Sequence, residues 1–189
     1  MTWIEGIAAL FGVISVWLTI KQRIWCWPAG LVQVFLYIFV FVEARLYADV
    51  VLHIIYVCLC IYGWVYWSER NRTVLPVSSS PDLPRWIVVL VAGTFISGYA
   101  FSTFTAADAP YIDSFVVVAS LIAQWLMARK KVESWYFWIA ADVVAIFLYL
   151  YKDLWITSAL YAVFLVMAIS GFIAWRKDMQ TDELLTEPV

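Results

Sequence analysis

Seven apolar runs of 18 to 22 residues constrain this chain more than any other feature. An α-helix rises about 1.5 Å per residue, so each run can cross about 30 Å of hydrocarbon. The runs lack the apolar–polar alternation of membrane strands, which leaves helices to satisfy the backbone. The runs are Trp3–Ile20, Trp25–Val42, Leu46–Trp67, Trp86–Thr105, Tyr111–Ala128, Ser134–Tyr151 and Leu154–Trp175. The sequence predicts an all-α polytopic membrane protein with seven transmembrane helices.

The composition excludes a soluble domain. Hydrophobic residues make up 65% of the chain and charged residues only 14%, whereas soluble proteins average about 25% charged residues. We therefore expect contact with membrane lipid and none with nucleic acid. Cys26, Cys58 and Cys60 lack the spacing of a redox or zinc pair, so we expect buried thiols and neither metal nor cofactor. Glu5 lies at the start of the first run and basic residues follow the run, a charge order that argues against a cleavable signal peptide.

The basic residues predict the orientation in the membrane. Arg45 and Lys152 fall on one side of the seven runs. The other side carries Lys21, Arg23, Arg70, Arg72, Arg85, Arg129, Lys130, Lys131, Arg176 and Lys177. Cytoplasmic loops carry the excess of Lys and Arg. The amino terminus should therefore lie outside the cell and the carboxyl terminus in the cytoplasm.

Two polar segments lie between or beyond the runs. Residues 68–85 are rich in Ser, Pro and charge and are expected to form a flexible, solvated cytoplasmic linker. Residues 178–189 are acidic and are expected to form a disordered cytoplasmic tail.

The chain also matches itself without gaps at an offset of 108 residues. Eleven of the 54 positions from 14 to 67 are then identical, against about four expected from the biased composition. The identical positions are Ile14/Ile122, Trp17/Trp125, Leu18/Leu126, Trp27/Trp135, Ile38/Ile146, Phe39/Phe147, Leu46/Leu154, Leu52/Leu160, Ile61/Ile169, Gly63/Gly171 and Trp67/Trp175. Run ends coincide as well, so the match predicts an internal duplication.

The duplication divides the chain as 3+1+3 helices, in the manner of SWEET-like transporters. Residues 1–67 form the first three-helix repeat, 86–105 a connector helix and 106–177 the second repeat. Four crossings separate equivalent helices, so the repeats should share one orientation. Transporters with parallel repeats bind substrate near the midplane between the repeats.

Three polar residues lie deep in the runs and are candidates for that site. Asp142 is the only Asp, Glu, Lys, Arg or His between Ser134 and Tyr151, and a carboxylate at mid-bilayer costs about 2.5–3.5 kcal/mol on insertion scales. Gln33 lies at nearly the same depth and could instead join two helices. His53 is four residues after Asp49 and could instead be a scaffold residue hydrogen-bonded to Asp49.

Aromatic residues extend the candidate site. Trp135 and Trp138 are three residues apart on one helix face, and Trp138 is one turn from Asp142. Trp135 could instead anchor the helix at the interface. Tyr37, Tyr56 and Tyr161 are candidates by position alone. Other Trp residues at run ends are expected to form interfacial belts, namely Trp3, Trp25, Trp67, Trp86, Trp155 and Trp175.

Several motifs resemble the PnuC family of vitamin transporters over almost the whole chain. The matching stretches are Gly30–Gln33, Leu46–Asp49, Ile61–Trp67 and Glu133–Trp138, the last completed by Asp142 in a WxxWxxxD pattern. The resemblance implies facilitated diffusion of nicotinamide riboside across the bacterial inner membrane, trapping by a cytoplasmic kinase, and a trimer. Related branches carry thiamine, riboflavin or deoxynucleosides.

This chain departs from the nicotinamide-riboside pattern at four positions. That pattern often has Asn at position 33, Gln at 53, Asn at 60 and Asn at 142, where this chain has Gln33, His53, Cys60 and Asp142. A thiamine transporter of the same family is therefore the alternative. An intramembrane enzyme would need a nucleophile–base pair or metal cluster, which one His and scattered carboxylates do not supply. A non-transporting membrane scaffold is a remote third possibility.

Overall fold

A computed structural model describes residues 3–43, 47–69, 76–104 and 109–186. Arg45, Arg70 and Arg72 lie outside these residues. The described chain forms α1 (Trp3–Ile20), α2 (Cys26–Glu43), α3 (Tyr47–Glu69), α4 (Leu83–Phe104), α5 (Pro110–Ala128), α6 (Ser134–Tyr151) and α7 (Trp155–Thr186). All seven are long and apolar enough to cross a membrane, so the prediction of an all-α, seven-helix membrane protein is confirmed.

Helix boundaries recur at the 108-residue offset. α1 and α5 end at equivalent residues, α2 and α6 begin and end at equivalent residues, and α3 and α7 begin at equivalent residues. The turns after α1 and α5 also match, because Gln22 and Lys130 have φ values of 52° and 53°. In each turn the backbone N–H of the next residue donates to an earlier carbonyl, from Arg23 to Leu18 and from Lys131 to Leu126. The 3+1+3 division stays a prediction, which these shared boundaries support.

The helices pack as two groups of three that touch each other. α2 contacts α1 and α3, and α6 contacts α5 and α7, while α4 contacts α5. Between the groups, α1 contacts α7 and α3 contacts α5. Side chains on the inner faces of α2, α3, α6 and α7 therefore face a common interior.

Tryptophan pairs form the core at one end of the helices. Trp27 meets Trp67 with ring centroids 5.3 Å apart at 88°, and Trp135 meets Trp175 at 5.4 Å and 87°. Such edge-to-face pairs stabilise by about 0.5–1.5 kcal/mol beyond the area that they bury. The two pairs are equivalent at the 108-residue offset.

Glycine makes both pairs possible. A Cβ atom on Gly63 would collide with the ring of Trp27, and a Cβ atom on Gly171 would collide with the ring of Trp135. The absence of a side chain lets each indole lie flat against the neighbouring helix backbone. This explains why these two glycines are among the identities between the halves.

The belt prediction is wrong for two tryptophans. Trp67 is 6% exposed and Trp175 is fully buried, because both rings pack between the two helix groups. The interfacial alternative for Trp135 is also wrong, since its ring is 1% exposed. Position at the end of an apolar run did not distinguish these rings from Trp3 and Trp155, which are exposed.

The expectation of a flexible, solvated segment is wrong for residues 77–80, while the assignment of residues 68–85 as a linker stays a prediction. Val77 is only 4% exposed. The Ser78 amide donates a hydrogen bond to the Lys130 carbonyl, and the Ser78 carbonyl accepts one from the Val132 amide. The Glu133 carboxylate accepts hydrogen bonds from the Ser79 hydroxyl (2.6 Å) and the Ser80 amide (2.8 Å). This segment is therefore docked on the α5–α6 turn.

The tail prediction is also wrong for most of its length. The α7 helix continues past the apolar run to Thr186, so residues 178–186 are helical. Residues 187–189 lie outside the described chain. Asp178 accepts a 2.6 Å hydrogen bond from the Gln22 side-chain amide, which ties this extension to the α1–α2 turn.

Candidate functional site

Asp142 is a buried carboxyl group inside α6. Its side chain is 4% exposed, between the small buried residues Ala141 and Ala145. In the described ranges, no basic side chain lies within ion-pairing distance of it. An unpaired carboxyl in such surroundings is costly to keep charged. Asp142 therefore lacks the partner that a purely structural carboxylate would have.

Tyr161 links this carboxyl group to tyrosines of three other helices. Tyr161 of α7 stacks on Tyr149 of α6 with centroids 5.1 Å apart. The Tyr161 hydroxyl is close enough to Asp142 and to Tyr56 of α3 for their charges to interact. Tyr37 of α2 lies within electrostatic reach of Tyr149. Of the three predicted tyrosines, Tyr161 is therefore next to Asp142, while Tyr56 and Tyr37 are connected to it through Tyr161 and Tyr149.

His53 joins this group through its ring contacts. Its centroid lies 4.8 Å from that of Phe41 and 5.8 Å from those of Tyr37 and Tyr56. Its Nδ1 lies 2.8 Å from the Asp49 backbone oxygen, and a carbonyl only accepts, so Nδ1–H donates. Asp49 is the predicted partner, through its backbone and not its carboxylate.

The two tryptophans of the motif have different surroundings. Trp138 is half-buried and packs against both apolar clusters of the core, one turn before Asp142. Trp135 is covered by Trp175 and Gly171. The Trp138 ring retains an accessible surface, whereas packing already covers Trp135.

Gln33 lies at the α1–α2 interface. Its side-chain amide occupies the space above Gly12 of α1, where a Cβ atom would come within 2.9 Å of Nε2. Gln33 is half-buried. This position fits the helix-joining alternative as well as the binding prediction.

Sequence reasoning missed Gln124, Ser120 and Tyr149. The Gln124 side-chain amide donates to the Cys60 sulfur at 3.6 Å, and Ser120 faces Tyr56. Gln124 is the only amide side chain in its apolar run, so the criterion that selected Gln33 also applies to it. Tyr149 gave no such signal, because its role depends on stacking with Tyr161.

At the end of the helices where α1 and α5 finish, the two groups of three are joined by reciprocal hydrogen bonds. The Trp67 indole N–H of α3 donates to the Ala128 carbonyl of α5 at 3.0 Å. The Trp175 indole N–H of α7 donates to the Thr19 carbonyl of α1 at 3.1 Å. The two rings also meet, with centroids 6.4 Å apart. Together they close this end of the interior.

Polar side chains reinforce that closure. Lys130 Nζ donates to Gln22 Oε1 at 3.0 Å and lies 4.8 Å from the Trp67 ring centroid. At the opposite end, Lys152 forms an ion pair with Asp113 at 2.8 Å, within the second group only. In the part of the chain that the structure describes, no group of three His, Cys, Asp or Glu residues could hold a metal ion.

Seven membrane-length helices, with one buried carboxyl group and several aromatic rings in the interior, define a polytopic membrane protein and a candidate ligand site. The family model described as nicotinamide mononucleotide transporter matches residues 2–177. The chain belongs to this family of vitamin transporters, which confirms the resemblance read from the sequence. It is a multi-pass protein of the bacterial inner membrane and not an enzyme.

Several characterised relatives cover nearly the whole chain. The nicotinamide riboside transporter PnuC of Escherichia coli K12 is 28% identical, over 93% of this chain and 85% of the relative. The PnuC of Neisseria mucosa is 24% identical, over 93% and 73%. The riboflavin/roseoflavin transporter RibM of Streptomyces davaonensis is 20% identical, over 92% and 84%. The crystal structure of the vitamin B3 transporter PnuC superposes with a TM-score of 0.74 and 25% identity, over 95% of this chain and 83% of that chain.

Proposed function

We propose that this protein carries nicotinamide riboside across the inner membrane by facilitated diffusion. The observation that carries the proposal is the buried Asp142 carboxyl group, which has no basic partner among the described residues, in a chain whose relatives include nicotinamide riboside transporters. Nicotinamide riboside has a fixed positive charge on its pyridinium ring. Such a ligand would supply the charge partner that the described residues do not give Asp142.

Binding next to Asp142 offsets the desolvation of both charges. Two opposite charges about 4 Å apart attract by about 4 kcal/mol at an effective dielectric constant near 20. Aromatic faces add to this attraction, because a cation over a ring gains about 0.5–2 kcal/mol. Trp138 and Tyr161 are the nearest candidates to supply such faces. Tyr37, Tyr56 and His53 would complete the wall on the side of the first helix group.

We propose alternating access between the two three-helix groups, which we interpret as parallel repeats. The reciprocal bonds of Trp67 and Trp175 join the groups at one end. Opening that end requires both indoles to leave their carbonyl partners. At the other end, the Lys152–Asp113 ion pair stays within one group and does not oppose separation.

The end closed by tryptophan is the cytoplasmic end in this proposal. It carries Lys130 and Lys131, and the excess of basic residues marks the cytoplasmic side. The amino terminus then lies outside and the carboxyl terminus inside. Net uptake would follow from phosphorylation of the vitamin by a cytoplasmic kinase, which keeps the free internal concentration low. The trimeric state is proposed from family resemblance alone.

Thiamine is the second candidate, because its thiazolium ring carries the same fixed charge and Asp142 and His53 depart from the nicotinamide-riboside pattern. Riboflavin is neutral, so a buried carboxylate gives it no such attraction, although one relative is a riboflavin transporter. The Asp142 carboxylate would therefore attract nicotinamide riboside and thiamine but not riboflavin.

The test is calorimetric titration of purified protein with nicotinamide riboside, thiamine and riboflavin in parallel. Nicotinamide is the control ligand, since it shares the ring and amide of nicotinamide riboside but lacks the charge and the ribose. We expect nicotinamide riboside to bind at least tenfold more tightly than nicotinamide. Preference for thiamine would replace the first candidate by the second. Preference for riboflavin, or no binding of any vitamin, would contradict the role of Asp142 in charge recognition.

A further inference from the structure

The seam between α3 and α5 carries a short polar ladder. Tyr56 faces Ser120, and one helical turn further on Cys60 accepts a hydrogen bond from Gln124. Both pairs are separated by 64 positions, so α3 and α5 run side by side in the same direction here. The ladder begins at Tyr56, which lies within electrostatic reach of Tyr161 beside Asp142.

The equivalent seam between α1 and α7 is apolar at the same positions. At the 108-residue offset, Tyr56 and Ser120 correspond to Phe164 and Gly12. Cys60 and Gln124 correspond to Ala168 and Val16. The polar atoms next to Gly12 come from Gln33 of α2, not from α1 or α7. Helix packing in this fold therefore does not require an amide at position 124.

The surroundings of Cys60 differ between the halves in a second way. A Cβ atom on Gly30 of α2 would lie 3.7 Å from the Cys60 sulfur, so α2 presents no side chain there. The residue equivalent to Gly30 is Trp138 of α6. The backbone of α2 therefore packs directly on the polar α3–α5 seam and leaves Cys60 4% exposed, whereas α6 carries an indole at the matching place.

We infer that Gln124 is a specificity-determining residue that hydrogen-bonds a hydroxyl group on the substituent of the vitamin ring. Its present acceptor is a thiol sulfur, which is a weak acceptor, so exchange for a substrate oxygen costs little. Its Oε1 can accept from a hydroxyl while Nε2 donates. Ribose, the hydroxyethyl group of thiamine and the ribityl chain of riboflavin all offer such hydroxyls. Asp142 and the aromatic rings would then hold the ring itself. This inference rests on the proposed function.

The test compares Gln124→Val with wild type for paired ligands. Nicotinamide riboside is paired with 1-methylnicotinamide, thiamine with its analogue lacking the hydroxyethyl group, and riboflavin with lumiflavin. Valine is the residue at the equivalent position of the other seam, so the helix contact should tolerate it. Cys60→Ala is the second variant, because it removes the competing sulfur and leaves Gln124 in place. Val16→Ala is the matched control on the α1–α7 seam.

We expect Gln124→Val to weaken binding of the full vitamin by about threefold to tenfold, the loss of one neutral hydrogen bond. Binding of the shortened analogue should not change. Cys60→Ala and Val16→Ala should keep the wild-type ratio between full and shortened ligand. A purely structural role predicts equal losses for both ligands in Gln124→Val, and that result, or no loss at all, would overturn the inference while leaving the proposed function intact. If the wild type bound none of the vitamins, the proposed function would fail and this inference with it.

Discussion

Replacement of Asp142 by Asn separates charge recognition from packing. Asparagine keeps the size of the side chain and one carbonyl oxygen but removes the negative charge. A cationic ring about 4 Å from the carboxylate would lose about 4 kcal/mol of attraction, which is roughly 1,000-fold in affinity. Asp142→Ala should abolish uptake of the cationic vitamin without preventing membrane insertion.

The same change should not destabilise the protein. Because Asp142 is buried and lacks a basic partner among the described residues, removing its charge removes an unfavourable burial. We expect the melting temperature of Asp142→Asn in detergent to equal or exceed that of wild type. Loss of binding with gain of stability is typical of a residue kept for function.

The assays are calorimetric titration and uptake of labelled vitamin into proteoliposomes. Asp113→Asn is the matched control, since it removes another carboxylate but one that is paired with Lys152 at the opposite end of its helix group. It should change affinity by less than about twofold and stability by at most about 1 kcal/mol. Retention of affinity within about threefold in Asp142→Asn would refute the proposed charge recognition.

Three further changes test the remaining parts of the site and fold. Combining Asp142→Asn with His53→Gln should shift the competition profile towards nicotinamide riboside over thiamine, and an unchanged profile would count against these two positions as substrate readers. Gly171→Ala should destabilise by about 1–3 kcal/mol in a thermal melt, because its Cβ atom would collide with Trp135. Gly6→Ala, with open space around it, is the control and should be neutral. Trp67→Phe removes one indole–carbonyl bond and should cost about 1 kcal/mol. An unaltered melting temperature would mean that this bond contributes nothing to joining the helix groups.

The helices were predictable from the sequence because the bilayer limits their length and composition. All seven apolar runs became helices, and each boundary moved by only a few residues except at the end of α7. That helix continues to Thr186 through charged residues, which hydropathy alone would place outside it. The docked segment 77–80 was missed for a related reason. Its Ser content and flanking Pro residues are typical of loops, whereas its order depends on Glu133, 53 positions beyond Ser80.

The polar members of the site were partly predictable because charge inside a membrane run is rare. Asp142 and His53 were found by that criterion. In the structure the His53 ring contacts Tyr37 and Tyr56, and Asp142 lies within electrostatic reach of Tyr161. Gln33 was found as well, although its amide lies against Gly12 of α1.

Tryptophan positions were less informative, because burial depends on what faces the ring. Trp67 and Trp175 pack against each other across the two helix groups, and the sequence alone does not show that contact. Tyr149 and the Gln124–Cys60 pair likewise depend on distances between helices. Equivalent positions of the two halves share the packing residues Gly63/Gly171 and Trp67/Trp175, whereas Tyr149 and the Gln124–Cys60 pair have no identical counterpart.

The most direct test of the account is uptake into proteoliposomes that contain the purified protein and no energy source. Labelled nicotinamide riboside is supplied outside, with thiamine and riboflavin as unlabelled competitors, and empty liposomes serve as the blank. The account predicts saturable entry that stops when internal and external concentrations are equal, and competition by thiamine rather than riboflavin. Entry no faster than into empty liposomes, or accumulation above the external concentration, would contradict it.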